Sequence, residues 1–173
     1  MQISTRRATL KDAETLSEIS KLTFYDTFTG TCTEEDMQSF LESTFNLQLV
    51  RDELSNENDK FYLAFLDGKA VGYIRFMEDY TYFPYMRQWK SLELKRIYVD
   101  KAFQGKGVAQ ILLNIILEFA KENNYEAIYL GVWEHNTRAQ KFYEKMGFVN
   151  SGHTHDFPIG NTPQTDNWLW KFL

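Results

Sequence analysis

The chain predicts an α/β (α+β) fold in which one mixed sheet carries helices on both faces. Three observations lead there. Segments of helical and extended period interleave in the order β-α-α-β-β-β-α-β-α-β-β, which suits a sheet with helices packed on it. One segment carries an unbroken apolar stripe at helical spacing, Val108, Ile111, Leu112, Ile115, Ile116, Phe119 and Ala120, as a helix lying on a sheet requires. The length of 173 residues gives one core, so residues 1–173 are expected to form a single domain.

The first helix starts near Asp12, which can cap it, and runs to about residue 24 on Ala13, Leu16, Ile19 and Ser20. Thr33 followed by Glu34, Glu35 and Asp36 offers a cap and an acidic first turn for a second helix, with Met37, Phe40 and Leu41 on one face. Residues 47–54 read as a short third helix. Residues 60–66 and 70–76 flank Asp67-Gly68, which is the pattern of a hairpin. A loop follows at 79–90, aromatic and broken by Pro84. In residues 92–99 the alternation Leu92, Leu94 slips phase before Ile97, Val99, as one extra residue in a bulge would make it do. Residues 127–133 form the next strand and 136–146 a helix stopped at Gly147. Residues 148–154 and 167–172 close the sheet.

Composition narrows the function. Lys and Arg number 19 against 24 Asp and Glu, a net charge of −5, which lacks the basic footprint of a nucleic-acid binder. Cys32 is the single cysteine, so neither an internal disulfide framework nor a cysteine-based zinc site is expected. Apolar runs fall short of the ~20 residues a membrane helix needs, and the first ten residues lack the apolar core of a signal peptide. A cytoplasmic location, with no membrane and no nucleic acid as partner, is the expectation. His153 and His155 share a strand face, but no third ligand stands at a recognisable spacing, so no metal is expected.

The chemistry gathers where the strand at 92–99 runs into the striped helix, through Gln104, Gly105, Lys106, Gly107, Val108 and Ala109. Two glycines permit a tight turn and close approach, and the first helical amides have no internal partner, so the turn can cradle a pyrophosphate. A dinucleotide fingerprint fails because Gln110 stands where a third glycine belongs, and no Walker loop is present.

What remains, Gln104-x-x-Gly107-x-Ala109, resembles the Q/R-x-x-G-x-G/A signature of the GNAT superfamily of N-acetyltransferases, with Ala109 where glycine is commoner. The run from Asn136 through Ala139, Phe142 and Tyr143 to Gly147 and Phe148 is similar to that family's N-x-x-A-x-x-F-Y-x-x-x-G-F block. Thr23-Phe24-Tyr25-Asp26-Thr27-Phe28, Leu41-Glu42-Ser43-Thr44-Phe45-Asn46, Leu92-Glu93-Leu94-Lys95-Arg96-Ile97-Tyr98-Val99, Leu130-Gly131-Val132-Trp133-Glu134 and Gln164-Thr165-Asp166 resemble the bacterial PaiA-type spermidine/spermine N-acetyltransferases. The resemblance implies a mostly antiparallel sheet with a splayed central strand pair and acetyl-CoA as cosubstrate. It also implies direct acetyl transfer to a small-molecule amine, a polyamine for the closer likeness. Another amine, a protein N-terminus, or a regulator that senses acetyl-CoA without turnover are the alternatives.

The same resemblance assigns roles. Backbone groups of Ile97, Tyr98 and Val99 would hold the pantetheine arm, and the Val99 amide would polarise the thioester carbonyl. Amides from Gln104 to Ala109 would bind the pyrophosphate, Asn136 the pantetheine, with Ala139 giving it room, and Lys145 a phosphate. Tyr143 is the candidate general acid for the thiolate. Glu93 is the candidate base, directly or through water, because an amine of pKa about 10.4 arrives protonated. Asp26, Glu34, Glu35, Asp36, Glu78 and Asp79 are candidates for holding a polyamine. The loop 80–86 would line an acceptor pocket or bury in a homodimer contact.

Overall fold

A computed structural model describes residues 2–173. Its strands are β1 (Ile3–Arg7), β2 (Lys60–Leu66), β3 (Lys69–Met77), β4 (Ser91–Val99), β5 (Ala127–Trp133), β6 (Val149–Asp156) and β7 (Thr165–Phe172). Its helices are α1 (Ala13–Phe28), α2 (Glu34–Thr44), α3 (Leu47–Ser55), α4 (Val108–Glu122) and α5 (Thr137–Lys145). The strands form one seven-stranded sheet in the order β1-β2-β3-β4-β5-β7-β6. Every pairing is antiparallel except that of β4 with β5.

That parallel pairing is short. Ser91, Leu92 and Glu93 face Ala127, Ile128 and Tyr129, and beyond Glu93 the two strands part. The sheet therefore opens at its centre, as the resemblance implies, and Glu93 stands at the apex of the opening.

The predicted bulge is present and its residue is Lys95. Arg75 of β3 pairs with Arg96 and the next residue, Phe76, pairs with Leu94, so Lys95 has no opposite number. The extra residue resets the alternation. Leu92, Leu94, Ile97 and Val99 pack on one face with α4, while Glu93 lines a cavity on the other face with Arg96 and Tyr98.

The first face is the larger core. Val108, Leu112, Leu113, Ile116 and Ala120 of α4 are buried against it, with Tyr143 of α5 and Phe148. Ile111, Ile115 and Phe119 of the predicted stripe are only half-buried, and Leu113 takes the centre of the face. The second face is covered by α1, α2 and α3 around Leu16, Phe24, Met37 and Phe45, and by the loop that follows β3 around Phe83 and Met86.

Local sequence explains most helix starts. The Thr33 hydroxyl accepts from the Asp36 amide at 3.1 Å, as predicted. Asp12 works differently: its carboxylate accepts from the Thr9 amide and from Arg6, closing the short turn before α1 rather than capping that helix with its side chain. α1 also runs one turn past its predicted end, to Phe28, because Phe24 and Phe28 stack at 4.5 Å inside the second core. No helix among the described residues is long and apolar enough to cross a membrane.

Candidate active site

The opening between β4 and β5 has two sides, and the sequence builds each differently. On the α4 side lies the turn at 104–109. Gly107 caps α4 with φ at +82°, a left-handed conformation that a residue with a Cβ rarely adopts. Among the described residues, the amides of 105–110 donate no hydrogen bond to the protein, and they converge at the helix N-terminus. Gly107→Ala is expected to cost about 1–2 kcal/mol, read as a lower midpoint in urea unfolding.

Gln104 is engaged rather than free. Its amide nitrogen donates to the Val99 carbonyl at 3.2 Å, and its oxygen accepts from Arg138 of α5. Arg138 thus reaches the turn across the opening, which no local spacing announces. Lys106 is exposed over the Phe103 ring. Lys145 is exposed at the end of α5.

Backbone direction along β4 follows from one bond. The Asp100 amide donates to the Val71 carbonyl at 2.9 Å, so in the alternating ladder Tyr98 bonds β3 while Ile97 and Val99 turn their N–H and C=O groups into the opening. Asn136 caps α5 through its oxygen, which accepts from the Ala139 amide at 3.1 Å. Tyr143 is buried beside Phe142 and Phe148, yet its hydroxyl makes no hydrogen bond to the described residues. Burial, and then the Asp166 carboxylate, push its phenol up from its ordinary value.

The other side is a cavity of about 330 Å³. Aromatic rings wall it, among them Phe24, Phe45, Tyr82, Tyr98 and Trp168, and its carboxylates are Glu93, Asp156 and Asp166. Tyr82 places the 80–86 loop at the cavity, while Phe83 and Met86 of the same loop are buried beneath it. Glu93 is 6% exposed; burial pushes it up, offset in part by Lys95, whose ammonium donates to it at 3.2 Å and to Asp79 at 2.9 Å. Arg96 does not pair with Glu93 but with Glu53 of α3.

Of the acidic residues expected to hold an amine, none lines the cavity. Asp36 accepts from the Asn161 amide and the Thr162 hydroxyl, tying α2 to the loop before β7, and Glu78 accepts from Tyr125. Asp79 reaches the site only through Lys95.

Asp166 enters the sequence reading only within Gln164-Thr165-Asp166, with no role of its own; β7, expected from 167, starts at Thr165 and takes it into the sheet. The signal is a lone carboxylate two residues before the alternating aromatics Trp168, Trp170 and Phe172. In the sheet it sits opposite Trp133 of β5 and His155 of β6. Its Oδ2 is 3.6 Å from Nε2 of His155, and its buried Oδ1 has no hydrogen-bond partner among the described residues.

Burial pushes the Asp166 carboxyl from 3.8 to about 7. The folded chain then keeps a proton that the unfolded chain has released. Stability is expected to fall as pH rises from about 4 to about 7, by up to about 1.4 kcal/mol per pH unit from this group. Asp166→Asn should flatten that slope and raise Tm at pH 8 in a thermal melt.

Among the described residues no group of three or more His, Cys, Asp or Glu side chains could hold a metal ion. His153 packs against Phe83 and Tyr85, and His155 stacks on Trp168 at 4.3 Å.

Residues 21–148 match the acetyltransferase (GNAT) family. An uncharacterized N-acetyltransferase of Lactobacillus delbrueckii subsp. lactis is 35% identical over 163 residues, covering 94% of this chain and 93% of that protein. The human N-acetylaspartate synthetase is 39% identical over 92 residues, which is 53% of this chain and 28% of that larger protein. In fold, the chain is similar to the PaiA N-acetyltransferase of Thermoplasma acidophilum solved in complex with coenzyme A. The TM-score is 0.81 at 23% identity, with 100% of each chain covered. With its open sheet, its turn of free amides and these matches, the chain belongs to the GNAT family of acetyltransferases.

Proposed function

We propose that residues 1–173 form one catalytic domain that transfers the acetyl group of acetyl-CoA to a primary amine of a polyamine, spermidine or spermine. The observation that carries the reading is the two-sided opening. Free amides and outward-turned backbone lie on one side, and an aromatic cavity holding Glu93, Asp156 and Asp166 lies on the other. The named relatives and the coenzyme A complex of the structural neighbour support the cosubstrate.

Each residue then has a task. Amides of Gly105, Lys106, Gly107, Val108 and Ala109 meet the pyrophosphate, with Gln104 holding the turn, and Lys106, Arg138 and Lys145 supply positive charge. Ile97 and Val99 pair with the pantetheine as a neighbouring strand would, beside Tyr98, and Asn136 and Ala139 flank it from α5. The Val99 amide stabilises the oxyanion that forms when the amine attacks the thioester. Tyr143 protonates the departing thiolate.

The methylene chain of a polyamine suits the aromatic walls, and its ammonium groups suit the carboxylates, because the cavity's own cations are already neutralised. Arg75 and Arg96 are bound by Asp59 and Glu53, and Lys95 by Asp79 and Glu93. A second reading, an acidic amino acid as acceptor, is favoured by the same Arg75 and Arg96 lining the cavity and by the likeness to N-acetylaspartate synthetases.

Release of CoA from acetyl-CoA, measured over a panel of amines, separates the two. A kcat/KM for spermidine and spermine far above that for aspartate and monoamines is the expected result; the reverse order selects the amino acid. Turnover of no amine, with acetyl-CoA still bound, would make the chain a sensor. The proposal extends to a cytoplasmic setting that keeps Cys32 reduced, and to a homodimer through the exposed Tyr85 and Phe172, to be read by sedimentation velocity.

A further inference from the structure

Three carboxylates line the acceptor cavity, and two of them differ in one decisive respect. Glu93 is engaged: Lys95 donates to its Oε2, and the same ammonium is held by Asp79. Asp166 is 8% exposed, and its Oδ1 meets no hydrogen-bond donor among the described residues. A buried carboxylate oxygen without a donor is costly to the fold and calls for a partner that the free chain does not supply.

The surroundings are built around this group. A Cβ on Gly131 would stand 2.9 Å from Nε2 of His155 and 3.0 Å from Oδ2 of Asp166, so the bare backbone of β5 leaves the space the pair occupies. Nδ1 of His155 is 3.0 Å from the Asp156 carbonyl, a bond only an Nδ1–H can make, which leaves the lone pair of Nε2 facing Asp166. Burial lowers the imidazole's proton affinity, so the ring is neutral and ready to accept at neutral pH. The charged and titratable groups facing the pair are Asp156 on β6, Lys95 and Tyr98 on β4, Tyr143 on α5, and Tyr82 of the loop before β4, whose ring stacks on His155.

Resting on the amine-acetylation reading, we propose that Asp166, rather than Glu93, takes the proton from the incoming ammonium, and that His155 passes it toward solvent. The ammonium gives one N–H proton to the Asp166 carboxylate, whose Oδ2 faces Nε2 of His155. The freed lone pair forms the C–N bond, and collapse of the tetrahedral intermediate breaks the C–S bond. The thiolate takes its proton from Tyr143, which is restored by the second proton lost from nitrogen. The proton on Asp166 moves to Nε2 of His155 and out, so one proton is released per turnover. The carboxyl's value of about 7 leaves a substantial ionised fraction at neutral pH, and the same proximity explains why Tyr143 feels Asp166.

The test compares two acceptors in wild type, Asp166→Asn and Glu93→Gln: an alkylammonium, and a hydrazide that arrives already neutral. Asp166→Asn is expected to lower kcat/KM for the alkylammonium about 100-fold, the scale of a lost general base. It should also erase the acidic limb near pH 7 and spare the hydrazide. Glu93→Gln should keep the limb, and His155→Gln should lower kcat with KM unchanged. Equal loss with both acceptors in Asp166→Asn, or loss of the limb in Glu93→Gln instead, overturns the assignment. Coenzyme A binding by Asp166→Asn, followed by calorimetry, confirms that the variant is folded.

If wild type turns over no amine, the acetylation reading has failed, and NMR titration of the His155 ring still decides the pair. A step near pH 7 present in wild type and absent in Asp166→Asn supports the shared proton; identical titrations in the two overturn it.

Discussion

Tyr143→Phe is expected to lower kcat about 100-fold, within the range for removing a general acid, while coenzyme A affinity and the melting temperature stay near wild type. The substitution removes one oxygen and nothing else. The ring lies in the core beside Phe142 and Phe148, and the hydroxyl bonds no described residue, so packing is unchanged and no partner is orphaned. A phenol raised above its ordinary value holds its proton at every working pH, as a donor must. Single-turnover CoA release and equilibrium CoA binding read the two quantities separately. A rate within threefold of wild type would remove the acid role; a fall in CoA affinity matching the fall in rate would make Tyr143 a binding residue.

The largest effect on stability is expected from Asp59→Ala, about 3 kcal/mol, the scale for stripping one partner from a buried ion pair. Arg75 lies on the second face with its side chain 11% exposed. Asp59 accepts from Nε at 2.9 Å and from Nη2 at 2.6 Å, and Glu53 accepts from Nη1 at 2.6 Å. Alanine at 59 leaves that cation with one carboxylate, which Arg96 also claims at 2.9 Å and 3.0 Å. At roughly 2–4 °C per kcal/mol for a chain of this size, Tm should fall by about 6–12 °C. Since Arg75 and Arg96 line the cavity proposed to take the acceptor, KM for the amine should rise as well. The double variant Asp59→Leu with Arg75→Met should recover most of the stability and none of the KM, because an apolar pair of similar bulk needs no compensation.

These two sites show what a sequence can and cannot disclose. Tyr143 was legible because the block from Asn136 to Phe148 is one uninterrupted segment, with cap, helix and stop in reading order. The hairpin at Asp67-Gly68, the cap at Thr33 and the bulge before Ile97 were legible for the same reason: each is decided by neighbours a few residues away. The ion network was not. Arg75 meets partners 16 and 22 residues distant, and Arg96 meets one 43 residues distant, so only the closed fold brings them together.

Asp166, present in the sequence reading only inside the segment Gln164-Thr165-Asp166, receives no role there for a narrower reason. A strand boundary misplaced by two residues put it in a loop, where a carboxylate is unremarkable, rather than in a strand between Trp133 and His155. The acidic residues expected to hold an amine lie outside this cavity, because sequence reports how much negative charge a region holds, not which surface it faces.

The unmatched Lys95 in β4 carries a consequence for how this chain tolerates change. Leu94 and Ile97 project to one face, and Glu93 and Arg96 to the other, only because one residue between them is uncounted by the pairing. Deleting it would act as a frameshift in space. Everything from Arg96 to Val99 would trade surfaces, driving a guanidinium into the apolar layer and turning Ile97 toward the acceptor. Single substitutions along this strand can therefore adjust one surface while leaving the other intact, but a change of length there damages both at once.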